Sequence, residues 1–120
     1  MGNGTARLVE ATPSDFDSQV FGDFNELAIV YFWGPNCPNC EIFARHLPLL
    51  MESLQNWPIK LVKTNAYEFP DLGTQFGIFG IPTFILVHQR KVLGRMSSFQ
   101  GDEFFLTVIR EALDRLHLVQ

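Results

Sequence analysis

A mixed α/β sheet with helices on both faces is the fold class this sequence predicts, and three observations carry it. Ala28–Phe32 is apolar, β-branched and aromatic, the composition of a buried strand. Apolar residues then recur at helical spacing (Ile42, Phe43, Leu47, Leu50, Leu54), and a second strand-like run, Ile59–Asn65, follows. Strand, helix and strand at this spacing make a right-handed βαβ unit with parallel strands. Further on, Thr83–Val87 and Lys91–Met96 are separated only by His88-Gln89-Arg90, so these two strands form a hairpin and the sheet is only partly parallel. The 120 residues suit a single domain, 1–120, with a real core. An apolar fraction of 47% against 18% charged is that of an ordinary globular chain.

Taken in order, Arg7–Glu10 is a short strand. Thr12-Pro13-Ser14-Asp15 reads as a helix start, with Thr12 as cap, Pro13 at the first position and Asp15 closing a capping box. Phe16, Val20 and Phe24 share a face of that helix, and Gly22 ends or frays it. The central strand and the long helix follow. Pro48 removes one backbone hydrogen bond there and should kink the helix without ending it, because the apolar periodicity continues to Leu54. Trp57-Pro58 closes the element. Phe69-Pro70-Asp71 opens a short helix with Leu72 and Phe76 one turn apart and Gly77 as its stop. Gly77–Pro82 is a loop leading to the hairpin. The last helix, from about Asp102 to Leu116, carries Phe105, Val108, Ile109, Ala112 and Leu113 at helical spacing. The order is β-α-β-α-β-α-β-β-α.

A net charge of −4 gives no electrostatic footprint for nucleic acid. No apolar run approaches the ~20 residues of a membrane-spanning helix, so no membrane partner is expected. Met1–Ala6 carries no secretory pattern, and Ala6 stands where a myristoylation signal needs Ser or Thr. A reducing cytoplasm is the expected compartment.

The chemistry gathers at Trp33-Gly34-Pro35-Asn36-Cys37-Pro38-Asn39-Cys40, which holds the only two cysteines, where strand hands over to helix. A proline disfavours the α region for the residue before it, so Cys37 should be extended. Pro38 suits the first helical position, where its missing N–H costs nothing. Cys37 then falls at the N-cap and Cys40 in the first turn. A sulfur at the N-cap faces unpaired N–H groups and the positive end of the helix dipole, which favour thiolate over thiol. The thiolate is the attacking species in disulfide exchange. This geometry predicts Cys37 as exposed nucleophile and Cys40, nearer the core, as resolving thiol. The same pair also suits half a zinc site, but a closed site needs two more ligands and His46, His88 and His117 are scattered singly. A purely structural disulfide is the other alternative, although so short a loop constrains the unfolded chain little.

From about Leu8 to Leu116 the chain resembles the thioredoxin family. The resemblance rests on Phe32-Trp33, the Cys37/Cys40 pair, Gly77-Ile78-Phe79-Gly80-Ile81-Pro82-Thr83, and Lys63 near the end of the third strand. It implies a thioredoxin fold and a thiol–disulfide oxidoreductase needing no bound cofactor and no metal. Its implied partners are protein disulfide substrates and a reductase or other dithiol donor. It also implies a cis Ile81–Pro82 bond facing the cysteines, with the backbone before the proline pairing with an extended substrate chain. The implied substrate surface comprises Trp33, Asn36, Phe79, Ile81, Pro82 and Phe99, with Phe79 and Phe99 at the rim; inward packing is the alternative for these two rings and the preferred one for Phe99. A second reading keeps the fold but makes the chain a binding or chaperone module that uses the apolar face around Phe79, Ile81 and Phe99 with little turnover.

Departures from the family pattern are specific. Pro38-Asn39 replaces the usual Gly-Pro, so the redox poise is not carried over; a proline after the nucleophile is similar to periplasmic oxidants of the wider superfamily. Asn36 replaces a tryptophan, Arg45 a proline and Arg90 a glycine, and Ser98 followed by Phe99 stands at the groove. Tyr31 occupies the place of a buried acid that would take the resolving thiol's proton. With an ordinary pKa near ~10, tyrosine is a poor base at neutral pH; a core residue with its hydroxyl satisfied is the preferred reading, and a part in tuning the thiols is the alternative. Glu41 or a water is the substitute base. Lys63 either steadies a thiolate or reaches solvent from the strand end.

Overall fold

Seven residues, Leu27–Trp33, form the strand on which both layers rest. A computed structural model of the chain describes residues 5–118. The N-terminal positions on which most of the targeting-signal reading depends lie outside that range. The elements are β1 (Arg7–Glu10), α1 (Phe16–Phe21), β2 (Leu27–Trp33), α2 (Pro38–Leu54), β3 (Ile59–Asn65), α3 (Pro70–Thr74), β4 (Thr83–His88), β5 (Lys91–Met96) and α4 (Asp102–Arg115). The sheet order is β1-β3-β2-β4-β5. β3 is parallel to both β1 and β2, whereas β4 is antiparallel to β2 and to β5. The central position of β2 explains why its sequence is apolar without alternation: both faces are covered. Leu27, Ile29 and Tyr31 face Phe43 and Leu50 of α2 and Phe105 and Ile109 of α4. Ala28, Val30 and Phe32 face Phe16 and Val20 of α1 and Leu72 of α3.

The structure corrects several local expectations. α1 begins at Phe16, and its N-cap is Asp15, without a side-chain cap. Thr12 is drawn into a turn instead. Its hydroxyl lies 3.0 Å from the Ser14 hydroxyl, its carbonyl accepts from Asp15 and Phe16 N–H, and only half of the capping box forms, Thr12 N–H donating to Asp15 Oδ1 at 2.8 Å. α3 ends at Thr74, so Phe76 follows the helix and stacks on Phe21 at a centroid distance of 6.2 Å. Gly77 has φ +63°, as a stop of this kind requires. β4 extends through His88, leaving a two-residue turn. Its residues Gln89 and Arg90 have φ 48° and 73°, the signs a type I′ hairpin needs. Arg90 holds a conformation that suits glycine, and its Nε donates to the Phe21 carbonyl at 3.0 Å. α2 runs through Pro48 to Leu54, and α4 ends one residue before the expected Leu116.

Phe43 is the hub of the α2 side. Its ring meets Tyr31, Phe84, Phe99 and Phe105 at centroid distances of 4.7–5.3 Å. Truncation would leave a cavity bordered by four rigid rings that cannot collapse into it. Phe43→Ala should therefore cost about 3–5 kcal/mol in denaturant unfolding, and a loss below ~1 kcal/mol would contradict this packing account.

Candidate active site

The handover from β2 to α2 builds the site. After Trp33 the chain turns through Gly34, where a Cβ would lie 2.8 Å from Ile81 Cδ1, and through Asn36, which has φ 55°. Cys37 is extended, with φ −124° and ψ 100°, and is the N-cap of α2, with Pro38 in the first helical turn. The Cys40 N–H donates to Cys37 Sγ at 3.2 Å, so the sulfur takes one of the helix's orphan donors. The two cysteines are joined in a disulfide with a Cα–Cα distance of 5.2 Å. In this oxidised state Cys37 is only 8% exposed and Cys40 4%, so the expected contrast between an open and a covered cysteine is nearly absent. Part of the cover on Cys37 is the Ile81 carbonyl oxygen, 3.7 Å from its sulfur. An oxidised sulfur has no proton to donate, so this is a contact; a reduced thiol could donate across it.

The Ile81–Pro82 peptide is cis. Pro82 is buried, and Ile81, beside the disulfide, is half-buried. Phe79 is fully exposed. Together with Tyr67, 77% exposed, it flanks an uncharged cleft of about 300 Å³ that also reaches Ile81. Tyr67 was not singled out in the sequence. The available signal was Asn65, whose Oδ1 accepts the N–H groups of Tyr67 and Glu68 and turns the chain outward just after β3. Phe99 takes the inward alternative and not the rim position. It is buried between Phe43 and Phe105, with the His46 ring at 5.4 Å, and offers no aromatic surface at the rim. What ties it to the site is Asn39, which sequence reasoning gave no role of its own. Asn39 Oδ1 accepts the Phe99 N–H at 3.0 Å, and Asn39 Nδ2 donates to the Phe99 carbonyl at 3.3 Å.

Behind Cys40 lies a cavity of about 180 Å³, bordered by Tyr31, Trp33, Cys40, Glu41 and Lys63. Tyr31 packs edge-on to Phe43 and stacks on Phe84 at 5.3 Å. Its hydroxyl has no protein hydrogen-bond partner among the described residues, yet it is not one of the buried polar atoms left unpartnered there. Burial pushes its pKa up to about 12, so at neutral pH the phenol is protonated. Lys63, opposite Tyr31 in the β2–β3 register, is half-buried at the border of the same cavity as Cys40 and places Nζ 4.6 Å from the Trp33 ring centroid, a cation–π contact. Trp33 is half-buried, and its Nε1 is buried without a partner among the described residues. Asn36 and Glu41 are exposed. Among the described residues no group of three or more His, Cys, Asp or Glu side chains is arranged to hold a metal ion.

Comparison with known proteins places this geometry. The family model described as Thioredoxin matches residues 7–111. A thioredoxin of Buchnera aphidicola subsp. Schizaphis graminum is 32% identical over 104 residues, covering 82% of this chain and 93% of that protein. A probable protein disulfide-isomerase A4 of Caenorhabditis elegans is 30% identical over 110 residues, 90% of this chain but only 17% of that longer protein. Among solved structures, the short form of thioredoxin f from spinach chloroplast superposes with a TM-score of 0.77 at 19% identity, covering 93% of this chain and 98% of that one.

The position of Tyr31 has a consequence at alkaline pH. An unfolded tyrosine loses its proton near ~10, whereas the folded one holds it to about 12. Between those values the folded state binds more protons than the unfolded state, so stability falls as pH rises. The contribution is complete below pH ~10 and lost as pH climbs through about 12; it amounts to at most ~2–3 kcal/mol. Tyr31→Phe should flatten this part of the stability–pH curve, measured by denaturant unfolding of the oxidised protein. Identical slopes in the two proteins would show that the phenol is not held neutral by burial.

Proposed function

The chain belongs to the thioredoxin family, and we propose that its Cys37–Cys40 pair exchanges with protein disulfides through a mixed disulfide on Cys37. The observation that carries this reading is the N-cap position of Cys37. Its sulfur already accepts the Cys40 N–H, and the same donor and the helix dipole would stabilise the thiolate once the disulfide opens.

In the reductive direction the Cys37 thiolate attacks one sulfur of a substrate disulfide, and the other leaves as a thiolate. Cys40 then loses its proton and attacks Cys37 Sγ. The substrate's second sulfur leaves, and the Cys37–Cys40 bond closes. Two electrons have passed to the substrate, and a reductase or another dithiol returns them. No bound cofactor is invoked. The neutral phenol of Tyr31 is unsuited to take the Cys40 proton, so that role falls to Glu41 or to water in the cavity behind Cys40. The Ile81 backbone, beside cis-Pro82, pairs with the extended substrate chain, while Trp33, Asn36 and Phe79 border it. We read residues 1–120 as one domain working in a reducing compartment such as the cytoplasm. Among the described residues no helix is long and apolar enough to cross a membrane.

The full exposure of Phe79 supports a second reading, a binding or chaperone module with little redox turnover. Insulin reduction driven by a small dithiol separates the two. On the oxidoreductase reading, Cys37→Ser falls to the uncatalysed background, and Cys40→Ser accumulates mixed disulfides because nothing resolves them. Retention of full turnover by Cys37→Ser would overturn the assignment. A wild-type chain that binds unfolded protein without accelerating reduction would favour the binding module.

A further inference from the structure

The residue between Pro38 and Cys40 does something the chemistry of the thiols does not require. A side-chain carboxamide is a peptide group in miniature, and Asn39 uses it as one. It accepts from the Phe99 N–H and donates to the Phe99 carbonyl, a reciprocal pair at 3.0 and 3.3 Å. The partner is a firm one. The Phe99 ring is 7% exposed and wedged against Phe43, and its flank is closed by the His46 ring, whose Nδ1 lies 2.7 Å from Asp102 Oδ1 at the start of α4. The first turn of α2 is thus tied from its own middle residue to the segment joining β5 to α4.

The tie matters when the Cys37–Cys40 bond is open. In the oxidised protein a covalent ring closes the turn. Once Cys37 carries a substrate in a mixed disulfide, that ring is gone, and a terminal helical turn is the part of a helix that frays. We propose that Asn39 is a positioning residue that clamps the redox turn to the Phe99 backbone and so keeps Cys40 within reach of Cys37 during resolution. The inference rests on the mixed-disulfide reading above. The step it serves is balanced: the Cys40 thiolate attacks Cys37 Sγ, the Cys37–substrate bond breaks, and the substrate sulfur leaves with the electron pair as a thiolate.

Exchange of the reduced protein with dithiobis(nitrobenzoate) tests it. Attack by Cys37 releases a first equivalent of thionitrobenzoate, and resolution by Cys40 releases a second. Asn39→Ala and the near-isosteric Asn39→Leu remove both hydrogen bonds. In each variant the second release should slow about three- to tenfold, the size expected for losing one or two net hydrogen bonds. The first release should change much less. A merely structural role would lower unfolding stability without separating the two rates. Asn39→Ser, too short to span both Phe99 groups, is the milder variant if the others fold poorly, and it too should slow the second release selectively. Unchanged second-phase rates in the folded variants would overturn the clamp, as would equal slowing of both phases. Absence of any second release in the wild-type protein would instead overturn the mixed-disulfide reading itself, so the two failures are distinguishable.

Discussion

A helix that starts where a buried strand stops has N–H groups with nothing inside the helix to bond, and in this chain a sulfur takes one of them. The 3.2 Å contact between the Cys40 N–H and Cys37 Sγ is the constraint around which the rest of the site is arranged. It requires Cys37 to be extended while the next residue is already helical, which Pro38 enforces from both sides through its own fixed φ and its restriction on Cys37. It requires the helix to begin at a fixed depth, which the end of β2 at Trp33 and the tight passage of Gly34 past Ile81 provide. It also brings Cys37 under the Ile81 carbonyl, so that the loop before β4 and the start of α2 form one surface.

The depth is held by packing on both sides of β2. Tyr31 and Phe32 are neighbours in sequence but belong to different cores, one stacked on Phe84 beneath α2 and the other near Phe76 on the α1 side. A one-residue slip of β2 would exchange those sides and move the cysteine turn with them. The aromatic cluster around Phe43 is therefore part of what aims the sulfur. The same cluster holds Phe99, so the clamp from Asn39 and the core of α2 share one anchor.

Much of this was legible in the chain. The periodicities of Ala28–Phe32, of Ile42 to Leu54 and of Phe105 to Leu113 mark one strand and two helices, and the turn between β4 and β5 is short enough to demand a hairpin. The extended conformation at Cys37 followed from Pro38 alone. Features that depend on distant partners were not legible. Phe99 could face the groove or the core on its local sequence, and only its contacts with Phe43 and Phe105 decide it. Asn39 gives no local sign that its carboxamide meets the backbone of a residue 60 positions away. Thr12 had a conventional capping signature, yet its hydroxyl meets Ser14 and its carbonyl takes the bond to Phe16, so the competing turn wins. Lys63 gave no local sign that its ammonium would lie over the Trp33 ring, a residue 30 positions earlier in the chain.

The central claim is that the start of α2 activates Cys37, and the most direct measurement is thiolate absorbance near the ultraviolet edge as reduced protein is titrated. Carried out on Cys40→Ser, which retains the backbone N–H at position 40, it isolates the ionisation of Cys37. The account predicts a midpoint clearly below the ~8.5 of a free cysteine. A midpoint at or above that value would show that the N-cap contact does not stabilise the thiolate, and the account of the site would be contradicted at its starting point.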